Sequence, residues 1–128
     1  MKFEDIALHI EQSIPSLIRG RNLFVNQMPA DIEGILLKES YAGTEIDPYM
    51  PNMRRGNFQL VARGRDYAAT KQLIESVAST LNMQERNFAQ IRIKTCVQMS
   101  EPVSFMISEG GMTEFSVKFF AVYDIVGK

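Results

Sequence analysis

The sequence predicts an α+β fold: a single two-layer domain over residues 1–128, with a mostly antiparallel β-sheet packed by two helices and a long extended loop arm. Three observations predict it. Two stretches repeat apolar residues at helical spacing, several others alternate apolar and polar residues at strand spacing, and a long connection with two prolines runs from Gly43 to Gly56. The order helix, two strands, arm, strand, helix, two strands fits one sheet with both helices on one side.

The first helix is read over about Lys2 to Ser13, because Phe3, Ile6, Ala7, Ile10 and Ile14 form one apolar stripe. Pro15 limits it. After Gly20, the run from Asn22 to Asn26 has the aromatic and β-branched content of a strand, and Gly34 to Lys38 is the next. Beyond the arm, Phe58, Leu60 and Ala62 alternate with Gln59, Val61 and Arg63. Asp66 is suited to cap a second helix, in which Thr70, Leu73, Ile74, Val77 and Leu81 repeat the stripe. Ala89, Ile91, Ile93 and Thr95 then alternate with Gln90, Arg92 and Lys94, a strand with one wet face. In the last strand Phe115, Val117, Phe119, Ala121, Tyr123 and Ile125 take the core side. Phe120 and Val122 make its other side apolar too, so this strand is either central or covered by another subunit.

The arm holds Ile46, Asp47, Pro48, Tyr49, Met50, Pro51, Met53, Arg54 and Arg55. Connections of this length in a compact domain are functional or disordered, and disordered linkers lack such apolar and aromatic groups. The prolines stiffen it by fixing their own φ and restricting Asp47 and Met50 before them. It reads as an arm for contact with a partner. Arg54 and Arg55 begin a strand that ends near Arg63 and Arg65, which gives two separated basic spots, and an arginine fork at a subunit contact clamps a neighbour's carboxylate. Met50, Met53, Met83, Met99, Met106 and Met112 fall in loops or element ends, which suits adaptable contact better than core filling.

Composition bounds the function. Hydrophobic residues make up 45% and charged ones 23%, an ordinary globular balance, and the net charge of −1 gives no overall basic field for nucleic acid. No apolar run approaches the roughly 20 residues of a membrane span, and acids near the N-terminus argue against a signal peptide. The expectation is a protein that stays in the cytosol, with neither a membrane nor sequence-specific nucleic acid as partner.

Catalytic chemistry finds no foothold. One cysteine and one histidine exclude an internal disulfide and leave no zinc-ligand set. His9 projects roughly 100° off the first helical stripe and is expected on a solvated flank; Cys96 reads as a buried small hydrophobe. Gly110 and Gly111 lack the further glycines and the lysine of a phosphate loop and read as a turn. No pair of acids is placed for shared proton transfer. Neither an enzymatic activity nor a cofactor is expected.

The run from Asn22 through Met28-Pro29, the strand from Gly34, the segment from Gly43 to Pro51 and the stretch from Arg54 to Arg63 resemble the tail terminator, or minor capsid, proteins of long-tailed bacteriophages. Asp66-Tyr67 at the second helix and Glu109-Gly110-Gly111 before Glu114 to Phe119 are similar to the family's closing pattern, so the resemblance covers roughly residues 20–125. Phe105-Met106-Ile107 stands where that family commonly has a polar stretch with histidine and arginine. The resemblance implies a non-enzymatic virion protein at the head-proximal end of the tail, assembled in the host cytoplasm. Its ring, usually a hexamer, caps the tail tube, ends tube polymerisation and offers a joining surface to head-completion or connector proteins. The arm, with Phe120 and Val122, supplies the halves of such a contact. The rival reading is a generic α+β small-ligand-binding or regulatory domain, with Tyr49, Arg54 and Arg55 as a lid on an anion. A weaker one is a nucleic-acid module using the four arginines.

Overall fold

A computed structural model describes residues 3–29, 32–88, 91–106 and 111–125. The elements run α1 (Phe3–Ser13), β1 (Leu23–Val25), β2 (Gly34–Ile46), β3 (Met53–Gly64), α2 (Tyr67–Leu81), β4 (Met83–Phe88), β5 (Ile91–Gln98), β6 (Val103–Met106) and β7 (Thr113–Ile125). The α+β reading holds. Among the described residues one seven-stranded sheet has the order β1-β2-β3-β7-β5-β4, with β6 also paired to β7.

Alternation decides which side of each strand is dry. Ile35 and Leu37 of β2, Phe58, Leu60 and Ala62 of β3, and Phe115, Val117, Phe119, Ala121 and Tyr123 of β7 are buried on the side where α1 and α2 pack. Phe58 and Phe119, direct partners across β3 and β7, stack with ring centroids 5.1 Å apart, and Phe3 of α1 meets Phe58 edge-on at 5.6 Å. The opposite face has no helix over it among the described residues. Asp66 caps α2 as its residue type predicts, its carboxylate accepting from the Ala68 N–H at 3.2 Å.

Four features correct or add to the expectations. The arm is not irregular: β2 continues to Ile46 and β3 begins at Met53, so Thr44, Glu45 and Ile46 pair with Gly56, Arg55 and Arg54. Only 47–52 form a turn. The strand character was hidden because this ladder carries polar groups on both sides, which erases the two-residue period, and because the prolines stand in the turn, where no ladder N–H is lost. Second, the sheet is mostly antiparallel as expected, and its one parallel pair among the described residues is β1 with β2 at the edge. Third, two strands lie outside the expected set, β4 and β6. Fourth, the fifth strand slips: its register shifts between Ile93 and Thr95, so Cys96 takes the core position opposite Ala121 and Thr95 turns to the open face opposite Val122.

β7 is the central strand. It pairs with β3 from Thr113 to Asp124 on one edge, and with β6 and then β5 on the other. That position alone accounts for part of the apolar character of its second face, where Phe120 and Val122 are half-buried within the subunit.

Candidate functional site

Among the described residues, the end of the β2–β3 hairpin is the most exposed apolar feature. Tyr49 is 91% exposed, and Ile46 and Met50 also stand out from the surface. Such exposure would suit a floppy loop, yet the turn is tied down. The Asp47 carboxylate accepts from the N–H groups of Tyr49 (2.9 Å) and Met50 (3.0 Å), its own N–H donates to the Met53 carbonyl at 3.1 Å, and Met53 N–H donates to the Met50 carbonyl at 2.8 Å. An aspartate that bonds the backbone just ahead of it is a common way to fix a turn. Below the turn, the extra length in β2 between Glu39 and Thr44 is absorbed by a bulge, with Gly43 at φ +74°, a conformation that L side chains rarely adopt.

Arg54 and Arg55 turn back onto the same hairpin. Arg54 donates to the Pro51 carbonyl and, at 3.3 Å, to that of Met53, while Arg55 lies 3.6 Å from the free oxygen of Asp47. They brace the tip. Arg63 stands at the far end of β3, where its guanidinium donates twice to one Glu114 oxygen (3.0 and 2.9 Å) and once to the Pro29 carbonyl at 2.9 Å. The two basic spots are therefore separate, as the strand assignment predicts. Two further basic groups on the sheet have acids beside them: Lys94 lies 3.7 Å from Asp124 and Arg92 2.8 Å from Glu85. The hydrogen bond and charge of Arg92 hold the Glu85 carboxyl below its usual range. A continuous basic track is absent among these described residues.

The open face of the sheet carries Phe120 and Val122 in its middle, with Val97 of β5 directly across from Phe120. The structure thus separates the predicted residues into a tip, from Ile46 to Met53 with its two arginine braces, and an apolar spot on the open face.

The residues considered for catalysis take structural roles. His9 is 7% exposed, which corrects its placement on a solvated flank. The reason lies beyond the first helix: α2 and β4 close over that flank, so the Nε2–H of His9 donates to the Thr80 carbonyl at 2.9 Å, and its ring meets Phe88 edge-on at 5.5 Å. Cys96 is buried and burial pushes its thiol up to about 12, far from reactivity at neutral pH. Met112 is buried and Met83 packs against the core, so those two methionines fill gaps after all, whereas Met50 and Met99 are exposed. Glu109 and Gly110 lie outside the described residues, and Gly111 turns at φ +67° before β7. Among the described residues no cluster of histidine, cysteine or carboxylate side chains could hold a metal ion, and no helix is long and apolar enough to cross a membrane.

A second apolar feature escaped the sequence reading. Phe24, Met28, Pro29 and Leu36 line an open groove at the β1 edge of the sheet, with Lys38 beside them. Phe24 and Leu36 are paired in register across β1 and β2, which is not legible until the parallel pairing is known.

Comparison with known proteins agrees with the fold and goes further. A chain from the virion of a native gene transfer agent particle superposes with a TM-score of 0.67 at 12% identity, covering 95% of this chain and 96% of that one. That likeness concerns the fold. No curated protein matches. The family model described as bacteriophage tail terminator protein matches residues 7–125, nearly the whole chain. The protein belongs to the bacteriophage tail terminator family and is a structural component of a phage tail.

Proposed function

We propose that copies of this chain join head to tail in a homohexameric ring that caps the tail tube at its head-proximal end. The ring ends tube polymerisation and offers the surface on which head-completion or connector proteins dock. One observation carries the reading beyond family membership: a hairpin tip fixed by its own hydrogen bonds that presents Tyr49 and much of Met50 to solvent. A tip fixed before contact loses little conformational freedom on docking. A closed ring needs two different patches per subunit, each fitting the other on the next copy. The tip is one such patch, and Phe120 and Val122 on the open face contribute a further contact. No step in this role makes or breaks a bond.

Size-exclusion chromatography with light scattering tests it. The expected mass is six times that of the 14.5 kDa chain, and images of the same fraction should show closed rings. A monomer at every concentration, alone and with tail tubes present, would contradict the reading.

A further inference from the structure

The two outer edges of the sheet are stepped, and the steps complement each other. At the hairpin end, an upper row of paired residues runs Glu45–Arg55–Val122–Thr95–Gln84 through β2, β3, β7, β5 and β4. At the opposite end, a lower row runs Phe24–Leu36–Val61–Ser116–Val103 through β1, β2, β3, β7 and β6. Both rows are five strands wide, but they are displaced sideways by one strand. On one edge β1 juts out below and leaves a notch beside Thr44, Glu45 and Ile46 above it; on the other, β4 juts out above and leaves a notch beside β6.

A sheet edge is a row of hydrogen-bonding groups that has to be paired, covered or blunted. The outer side of β1 is covered by its own chain, since the Leu23 and Val25 carbonyls accept from the Gly20 and Gln27 N–H groups at 2.9 and 2.8 Å. Among the described residues no strand lies outside Thr44–Ile46, β4 or β6. The exposed polar side chains of β4 and its Glu85 at φ +50° blunt that edge, which suits a short specific contact and not open-ended strand addition. Val103 is different: an apolar side chain, 51% exposed, at the free end of the row that holds Phe24, Leu36 and Val61.

We infer that neighbouring copies interlock along these steps. β4 of one copy lies beside Thr44–Ile46 of the next, and β1 of that next copy lies below, against β6, with Phe24 beside Val103. The equal widths select a second copy as the occupant of both notches, because the sideways displacement that fills one fills the other. The joined rows are level, so the contact carries no rise along the strands, as a closed ring requires and a helical filament does not. The tip, just beyond Ile46, then stands beside the Phe88 end of β4 in the neighbour. The inference rests on the ring reading above and names the edges that meet.

Cross-linking across the upper join tests it. Glu45 and Gln84 are exposed at opposite ends of one row, four strand spacings or roughly 19 Å apart, too far for a disulfide within one copy. Between interlocked copies they are neighbours. Glu45→Cys and Gln84→Cys proteins, mixed and briefly oxidised, should form disulfide dimers at least tenfold more than either protein alone, and the buried Cys96 stays silent. The Glu45→Cys/Gln84→Cys double variant should give a ladder up to ring size, and a Glu45→Cys/Val103→Cys variant, which joins different levels, should not. In parallel, Val103→Lys should weaken assembly at least tenfold while its thermal midpoint stays within a few degrees of the unaltered value. Rings that assemble without a 45–84 product, a 45–103 product in its place, or unimpaired rings of Val103→Lys would overturn the interlocking and leave the ring intact. Absence of assembly in the unaltered protein would overturn both.

Discussion

Cys96 shows what a single buried position does to this protein. Its thiol is pushed up to about 12 by burial, against an ordinary value of 9.0, so between those values the unfolded chain loses a proton that the folded chain keeps. Stability is therefore full below about pH 9 and falls above it, by up to about 1.4 kcal/mol per pH unit. Tyr123, also raised by burial, adds to the fall from about pH 10. Urea midpoints measured from about pH 8 to 10.5 should decline in the natural chain and decline less steeply in Cys96→Ala; equal slopes would remove Cys96 as a cause. His9 offers a second case. Its hydrogen bond to Thr80 and its edge contact with Phe88 join α1 to α2 and β4, so His9→Ala should lose about 1–2 kcal/mol of stability at neutral pH by urea titration. A loss under about 0.3 kcal/mol would show that the seam closes without it. Cys96 was legible because burial as a small hydrophobe is the usual fate of a free cysteine, although strict alternation with Ile91 and Ile93 would have set it on the wet face had the register not slipped. His9 was not, because the side of α1 that other elements cover is set by the packing of distant segments.

Two elements carry the assembly argument, the β2–β3 hairpin and β7. Replacing Pro48 to Pro51 by a short glycine-containing turn should leave the ladders below intact, with a thermal midpoint within a few degrees of the unaltered value, and should abolish rings. A wider deletion from Ile46 to Met53 removes the pairs Ile46↔Arg54 and Met53↔Asp124 as well and tests less cleanly. In β7, Phe119 is fully buried against Phe58 whereas its neighbour Phe120 is half-buried on the open face. Phe119→Asp should cost at least about 3–5 kcal/mol and unfold the subunit, since it removes a core aromatic and buries a charge. Phe120→Asp should leave the subunit folded and reduce ring formation. Equal unfolding in both variants would mean that β7 owes its second apolar face entirely to its central place in the sheet. The helices and β7 were readable because one face of each is continuously apolar. β4, with Gln84, Glu85, Arg86 and Asn87 in succession, shows no such period, and β6 is only four residues long. For the upper hairpin, the polar ladder from Thr44 to Ile46 concealed a strand and left only its prolines and exposed apolar residues to mark the tip.

At the scale of the whole molecule, the α+β class follows from elements that each bury one face, and the family follows from landmarks spread over most of the chain. The sheet order does not follow from those elements. A central β7, a parallel β1 and the groove that β1 creates depend on which strands meet across long stretches of chain, and local periodicity carries no information about that choice. The proposed ring places the tip of each subunit on the next and leaves the helical layer to hold each sheet in shape. It also requires the assembled ring to act on a growing tube. The most direct measurement is the length distribution of tubes polymerised from the matching tail tube protein, with and without this chain, imaged by electron microscopy. Shorter tubes with ring density at one end, and normal tubes when the tip-replaced variant is added, are the predicted result. Tubes of unchanged length with bare ends in the presence of excess protein would contradict the account.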